Sequence, residues 1–433
     1  MIFYSTNDKK LKASLETAVT QGLAKDKGLY MPEHIPTLPA SFFEHLDKMS
    51  LQDIAFEVAN SIFGEDIPAS ELKRIVDETL CFDIPLVKVK EGIYSLELFH
   101  GPTLAFKDVG ARFMARILAY FTQSERKETI NVLVATSGDT GSAVANGFLG
   151  VEGIKVFVLY PKGLVSKIQE SQFTTLGQNI TALEIDGTFD DCQRLVKSAF
   201  MDDELQKHMT LTSANSINVA RFLPQAFYYF YGMGQLKKQG LTKNIVCCVP
   251  SGNFGNITAA LIAKMQGLPI ARFIAANNRN DVFLEYLETQ NYRPRPSVAT
   301  IANAMDVGDP SNFARILDLY DHSHSAIAAE ISATRYDDDQ IRATMKRSYE
   351  ENHYLLDPHG ACAYQALEDG LKEGESGFFI ETAHPAKFLD TVEEAIGEKI
   401  TIPQALQEFM KGEKQSIELS KEYESFKAFL LKE

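Results

Sequence analysis

INVLVATSGDTGSAVANGFLGVEGIKVFVLYPKGLVSKIQESQFTTLGQNITALEI, residues 130–185, decides the fold class. INVLVA (130–135), IKVFVLY (154–160) and ITALEI (180–185) are largely apolar runs of strand length. The spacing between them predicts helices over 140–148 and 166–177, the second ending at Gly177, and a further helix over 190–201. Strands that are apolar along their whole length are covered on both faces. Alternation with helices makes the sheet parallel.

Outward from this stretch the rhythm resumes. A long helix is predicted near 217–236, a strand at IVCCVP (245–250), and a helix to about Lys264. ARFIAA (271–276) and GFFIETA (377–383) read as further strands, and AKFLDTVEEAI as the helix after the last one. Two βαβ blocks predict an α/β chain of two open, largely parallel sheets with a cleft between them. The expected division is an N-terminal region (1–95), mainly helical, with turn-rich breaks at Met31-Pro32 and Leu38-Pro39. A large α/β domain takes 96–125 and 215–400, a small one 126–214, and a helical tail 401–433. Within the tail, 415–433 reads as a charged amphipathic helix. No internal repeat or low-complexity stretch is evident.

The 433 residues hold 58 acidic against 43 basic side chains, a formal charge of −15. That balance argues against nucleic acid or an anionic membrane as a partner, since both reward clustered positive charge. It leaves room for a small anion held by a few local donors. The five cysteines, Cys81, Cys192, Cys247, Cys248 and Cys362, form no CxxC pair. Neither a metal site nor a disulfide framework is expected, and a reducing cytoplasm fits. The opening MIFYSTNDKK lacks the pattern of a secretory signal, and no apolar run approaches a membrane span.

Three motifs carry chemistry. In HGPTLAFKDVGARF (100–113), Lys107 follows an apolar run and precedes a predicted helix. Apolar surroundings disfavour the ammonium form, leaving an amine able to attack an aldehyde. The plainer reading is a helix start with Asp108 at its positive end. In ATSGDTGSAVA (135–145), a strand gives way to a helix through small residues. Thr136, Ser137 and Thr140 add hydroxyls to the helix-start amides, which suits an anion or an ordinary cap. PSGNFGNITAA (250–260) repeats strand, glycine turn and helix. Gly252 and Gly255 leave room for close backbone approach to a phosphate, or for a positive φ. Two anion-ready turns and one lysine in apolar company match what pyridoxal 5'-phosphate (PLP) and an amino-acid substrate require.

HGPTLAFKD, TSGDTG, SANSIN, SGNFGN and TAHPAKF, in this order, resemble the signature segments of the threonine synthase family in its longer form. The resemblance runs from AVTQGLAKDKGLYMP (18–32) to TAHPAKF (382–388). It implies the tryptophan-synthase-β-like PLP fold (fold type II), with the large domain binding the cofactor. It implies conversion of O-phospho-L-homoserine and water to L-threonine and phosphate. Lys107 matches the family's Schiff-base lysine. Gly252, Asn253, Phe254, Gly255 and Asn256 match its cofactor-phosphate loop, and Thr382 the hydroxyl at the pyridine nitrogen. Thr136, Ser137 and Thr140 match the turn that receives the substrate carboxylate. Asn215, Ser216 and Arg221 resemble the segment that grips the substrate phosphate. Asp139 stands where many relatives of the wider fold have asparagine beside the ring hydroxyl. A carboxylate there needs a proton, or a protonated ring oxygen, to make the same contact.

Two other readings share these residues. One is a PLP-dependent phospholyase or serine/threonine dehydratase; a dehydratase has no use for Arg221, Asn215 and Ser216 aimed at a phosphate. The other is a non-catalytic ligand-binding protein, which the retained Lys107 argues against. His100 and His384, in turns beside prolines, read as structural. A cytoplasmic monomer or homodimer is expected.

Overall fold

The computed structural model describes residues 1–125 and 129–433. The first three strands, β1 (Ile2–Ser5), β2 (Lys12–Ser14) and β3 (Tyr30–Pro32), form a small antiparallel sheet in the order β2-β1-β3. Helices Leu15–Gln21, Ala40–His45, Leu51–Phe63 and Ala69–Thr79 make up most of the rest of this region. Leu51–Phe63 is capped by Ser50, whose side chain accepts from the Asp53 N–H. It buries Leu51, Ile54, Val58, Ile62 and Phe63 along one face.

Strands β4 (Leu86–Lys90) and β5 (Ile93–Glu97), which the sequence pattern did not predict, turn back antiparallel on each other. They enter the large sheet through β5 and so belong with it rather than with the N-terminal region. In chain order, β6 is Ile130–Ala135, β7 Ile154–Pro161, β8 Ile180–Asp186, β9 Thr210–Ser213, β10 Ile245–Pro250 and β11 Arg272–Asn277. Then come β12 (Ile331–Arg335), β13 (Ser376–Glu381) and β14 (Ile417–Ser420). The large sheet runs β12-β11-β10-β13-β5-β4 and the smaller β14-β8-β7-β6-β9. Apart from β4, every pairing in both is parallel. Strands β6 and β10 are buried at every residue, as continuous apolar runs require. One core cluster contains Val132, Val134 and Val156 of the smaller sheet and Cys247, Phe273 and Phe378 of the larger. The two sheets therefore share packing on their inner sides.

Two predicted elements are corrected. The helix expected over 217–236 is three pieces: Val219–Phe222, a 3-10 turn Leu223–Gln225, and Ala226–Lys238. Pro224 has no N–H to continue the ladder and crowds the preceding turn. The tail is not wholly helical: β14 adds to the open edge of β8, and only Tyr423–Leu430 is helix in its last part. The expected boundary between large and small domains abuts residues 126–128, outside the described residues. No helix among the described residues is long and apolar enough to cross a membrane.

Strands β6, β10 and β13 end at Ala135, Pro250 and Glu381, and each is followed at once by one of the motifs above. The carboxyl ends of parallel strands are where open α/β sheets bind ligands.

Candidate active site

Lys107 opens the helix Lys107–Glu125. The turn before it is folded around Asp108. Thr103 donates to that carboxylate through its N–H at 2.9 Å and its hydroxyl at 2.6 Å. Gly101 has no space for a side chain, since a Cβ would fall 2.5 Å from Asp108 Oδ2. Leu104 takes φ 56°, uncommon for a branched residue and worth its cost only where the backbone must be held. The loop is then tied to the end of β13. Phe106 N–H donates to the Thr382 carbonyl at 2.8 Å, and His384 N–H to the Leu104 carbonyl at 3.0 Å. These two bonds bring Lys107 and Thr382 to one cavity. The Lys107 side chain is half-buried in the wall of that cavity, and desolvation lowers its pKa to about 8; Asp139 opposes this, while Arg221 and Lys387 act in the same direction. The amine is therefore easier to deprotonate than an exposed lysine, with roughly a tenth of it neutral at pH 7.

The loop after β10 turns into the helix Gly255–Met265. Its one left-handed residue is Phe254, at φ 62°. Gly252 and Gly255, where a positive φ was among the expectations, do not have one. They are small because the loop is crowded. A Cβ on Gly252 would fall 2.7 Å from the Ala304 carbonyl oxygen, and one on Gly255 3.0 Å from Ser216 Cβ. Asn256 is the most informative member. Its Oδ1 accepts from the hydroxyls of Tyr228 and Tyr229 at 2.6 and 2.5 Å. Its Nδ2 is buried and has no partner among the described residues, on a side chain that lines the cavity. A pinned amide with a spare donor, at a helix start, fits a phosphate. Asn253 is used differently: its Nδ2 donates to Ser216 Oγ at 2.7 Å and its Oδ1 accepts from Ser311 N–H at 2.7 Å. Only its backbone is left for an anion.

Facing this loop is the segment 213–221. Arg221 is buried and donates to the carbonyls of Ala214 (2.7 Å) and Lys107 (2.9 Å). It has no carboxylate partner within ion-pair distance among the described residues, and it lines the same cavity as Lys107. Burial lowers its pKa to about 10, a measure of how poorly its charge is compensated; Asp108 and Tyr228 act the other way. Asn215 also lines the cavity and is held by Nδ2 donating to Ala135 O at 3.2 Å. Ser216 accepts from Asn253 and, at 3.0 Å, from Asn312, so its own proton is left to give. The segment is set by Arg315, which is fully buried. It donates to the carbonyls of Ser216, Ile217 and Tyr30 and to Asn312 Oδ1, with its guanidinium 3.9 Å from the Phe222 ring centroid. Nothing in the sequence around Arg315 marks it. Its partners lie up to 285 residues away.

The third motif divides. Ser137 and Thr140 line the cavity. Thr136, expected with them, does not: its Oγ1 accepts from the N–H groups of Gly138 (2.9 Å) and Gly141 (2.7 Å). It braces the turn because those amides, at a helix start, have no helical acceptor. Asp139 also points elsewhere. It is buried and paired with the fully buried Lys387 at 2.6 Å, and it accepts from Gln169 Nε2 at 2.9 Å. Burial alone would raise its pKa. Lys387, Lys107 and the hydrogen bonds outweigh that and bring it down to about 2. The carboxylate is therefore ionised, and its counter-charge comes from Lys387. Lys387 is the lysine of TAHPAKF, and nothing in the sequence gives it a role. His359, also unassigned there, lines the cavity, with Nδ1 at 2.5 Å from Asp357 and Nε2 accepting from Ala304 N–H. His384 accepts from Ala386 N–H and caps its turn, and His100 pairs with Glu97 at 2.7 Å.

Comparison with known proteins gives the same direction throughout. Residues 2–80 match the family described as threonine synthase N terminus, residues 77–379 that of the pyridoxal-phosphate dependent enzymes, and residues 360–430 that of the threonine synthase C-terminal region. The chain is 43% identical over 432 residues to the threonine synthase of Haemophilus influenzae, covering the whole of both. Its structure is similar to the crystal structure of threonine synthase from Escherichia coli, with a TM-score of 0.94 at 40% identity over all of both chains. It is similar also to the PLP-bound threonine synthase from Brucella melitensis, with a TM-score of 0.93 at 35% identity, over 100% of this chain and 99% of that one.

Proposed function

This chain belongs to the threonine synthase family of pyridoxal-phosphate-dependent enzymes, and from that premise we propose that it converts O-phospho-L-homoserine and water to L-threonine and phosphate. The observation that carries the substrate is Arg221. A buried guanidinium with no carboxylate at ion-pair distance among the described residues, in the cavity that holds Lys107, calls for an anion on the ligand. The cofactor phosphate is served separately by the spare Asn256 amide and the Gly252–Asn256 backbone. A second anion is then the substrate's own phosphate, which a dehydratase substrate lacks.

The residues fit PLP as Schiff-base lysine (Lys107), phosphate loop (Gly252, Asn253, Phe254, Gly255, Asn256) and ring-nitrogen hydroxyl (Thr382). When bound, PLP supplies the electron sink that stabilises a carbanion on an amino acid. The chain's residues do the rest. Lys107, as the neutral amine that burial favours, would take the proton from the substrate α-carbon and then one from the β-carbon, whose loss lets phosphate leave the γ-carbon; protons return to the α- and γ-carbons, and the β-carbon takes hydroxide from water. Ser137 and Thr140 bind the carboxylate, Thr136 keeping their turn in shape. Ser216 and Arg221, with Asn215, hold the departing phosphate in line. A substrate without that group would leave these donors unpaired, which is the basis of selection.

The division into a PLP-binding large domain and a smaller α/β domain, and work in the cytoplasm as a monomer or homodimer, are part of the same proposal. Five free thiols among the described residues support a reducing compartment. The deciding experiment is product analysis with O-phospho-L-homoserine. Threonine and phosphate in equal amounts are expected. Phosphate with 2-oxobutyrate instead would make the protein a phospholyase.

A further inference from the structure

His359 is buried, lines the cavity and takes no part in the chemistry above. A histidine on a carboxylate in such a place invites an acid–base role, but both of its ring nitrogens are committed. Nε2 accepts from the Ala304 N–H at 3.1 Å, so the ring proton is on Nδ1, which donates to Asp357 Oδ2 at 2.5 Å. The ring also lies against Phe388, with centroids 4.9 Å apart. Asp357 is itself fixed. It caps the helix Pro358–Gly370 by accepting from Gly360 N–H at 2.6 Å, and its own N–H donates to Glu381 at the end of β13. A ring held this way has no free nitrogen to offer a substrate. It holds an acceptor in one place.

What it holds is the turn Asn303–Met305. The chain on either side of that turn is pinned separately. Asp306 accepts from Thr300 through the N–H at 2.9 Å and the hydroxyl at 2.7 Å, and from Asn278 and Asn280 at 2.8 and 3.1 Å. Ile301 N–H donates to Asp338 at 3.2 Å. The turn packs directly on the glycine loop. The Ala304 carbonyl oxygen and Met305 Cα stand 2.7 and 2.9 Å from where a Cβ on Gly252 would be, and Gly252, Ala304 and Met305 all line the cavity. We propose that His359 is a positioning residue for the PLP phosphate: by holding Ala304 it keeps the turn Asn303–Met305 against Gly252, and so fixes how closely the loop Gly252–Asn256 closes on that phosphate. Backbone amides bind an anion well only when they are held in place beforehand, and a turn free to shift would let the loop relax away from it.

The inference rests on Gly252–Asn256 being the cofactor-phosphate loop, and Gly252→Ala tests that reading by itself. Its methyl would meet the Ala304 carbonyl, so PLP affinity should fall; unchanged affinity would remove the loop from the phosphate site. Two substitutions then divide the contacts of His359. Glutamine can place an oxygen where Nε2 stands and still accept from Ala304. Asparagine can keep a donor for Asp357 but cannot reach Ala304. The full chain, freed of PLP, is dialysed to equilibrium against PLP. His359→Asn should bind PLP about fivefold more weakly or worse, the size of a lost hydrogen bond to a shielded amide, and His359→Gln should stay within about twofold of wild type. A histidine that serves only to cap its helix through Asp357 predicts the reverse order, or equal PLP affinity with lower stability in both variants; either result, given the loss in Gly252→Ala, overturns the proposal and leaves the loop assignment standing. In the double variant Gly252→Ala/His359→Asn the loss should fall short of the product of the two separate losses, because both open one contact; a full product means that His359 acts elsewhere. If His359→Asn does not fold, hydrogen exchange on the wild type decides. PLP should slow exchange of the amides at 303–305, and exchange there that is the same with and without PLP refutes the idea.

Discussion

Arg221 and Asn256 each carry a polar group that the protein brings into the cavity without answering in full. Among the described residues Arg221 donates to two carbonyls and forms no ion pair with a carboxylate; Asn256 accepts from two tyrosines and has a buried donor without a partner. The two make separable predictions. Arg221→Ala should cost about 2–5 kcal/mol in kcat/KM for O-phospho-L-homoserine, the range for removing one partner of a buried charged contact. Its visible PLP band should persist, and unchanged kcat/KM would move the substrate phosphate elsewhere. Asn256→Asp keeps the acceptor for both tyrosines but replaces the donor by a negative charge. PLP affinity should fall roughly tenfold or more, as expected for losing a hydrogen bond to a charged group. Equilibrium titration of apoprotein with PLP measures it, and equal affinity in both proteins would remove Asn256 from the phosphate site.

The C-terminal tail shows what an element gains from a place to dock. Residues 417–420 extend the ladder of β8, and the helix Tyr423–Leu430 then buries Phe426 and Leu430 in the outer core of the smaller sheet with Leu133, Phe157 and Leu195. An isolated helix of eight residues is too short to persist in water; packing sustains it. Phe426→Ala should therefore destabilise the protein by about 3–5 kcal/mol, read as a lower denaturant midpoint. The site lies at the other end of the strands, so PLP affinity should be unchanged in the folded protein. Loss of PLP affinity without loss of stability would contradict this account. Strand β14 was not legible beforehand because IELS is short and mostly exposed, with none of the apolar continuity that marked β6 or β10.

Across the whole molecule, the carboxyl ends of the strands collect charge as well as ligand-binding loops. Glu381 ends β13 and is fully buried; its Oε1 accepts from Asp357 N–H at 2.8 Å, and a Cβ on Gly360 would fall 1.5 Å from its Oε2. Burial first, and then the negative charges of Asp357 and Glu97, hold its pKa well above the ordinary 4.5. The folded state thus binds this proton more tightly than the unfolded one. The associated stability is complete below about 4.5 and is lost as pH rises toward the folded-state value. Glu381→Gln should flatten the decline of stability as pH rises above about 4.5, by up to about 1.4 kcal/mol per pH unit. Parallel declines in the two proteins would mean that Glu381 is not protonated in the fold. None of this could be read from FFIETAHP, where glutamate looks like any strand-end acid. The sequence by itself determined the parallel α/β architecture and marked Lys107, the glycine loop and the hydroxyl-rich turn as segments that the fold brings to one cavity. These depend on local periodicity and on residue types that must adjoin in the chain to build a strand, a turn and a helix start. Only the tertiary structure decided that Thr136 braces its turn, that Arg315 sets the segment 213–221, and that Lys387 answers Asp139. Such partners lie far apart in the chain, and what pairs them is burial, which makes an unanswered charge or hydrogen bond costly only after the chain has folded around it.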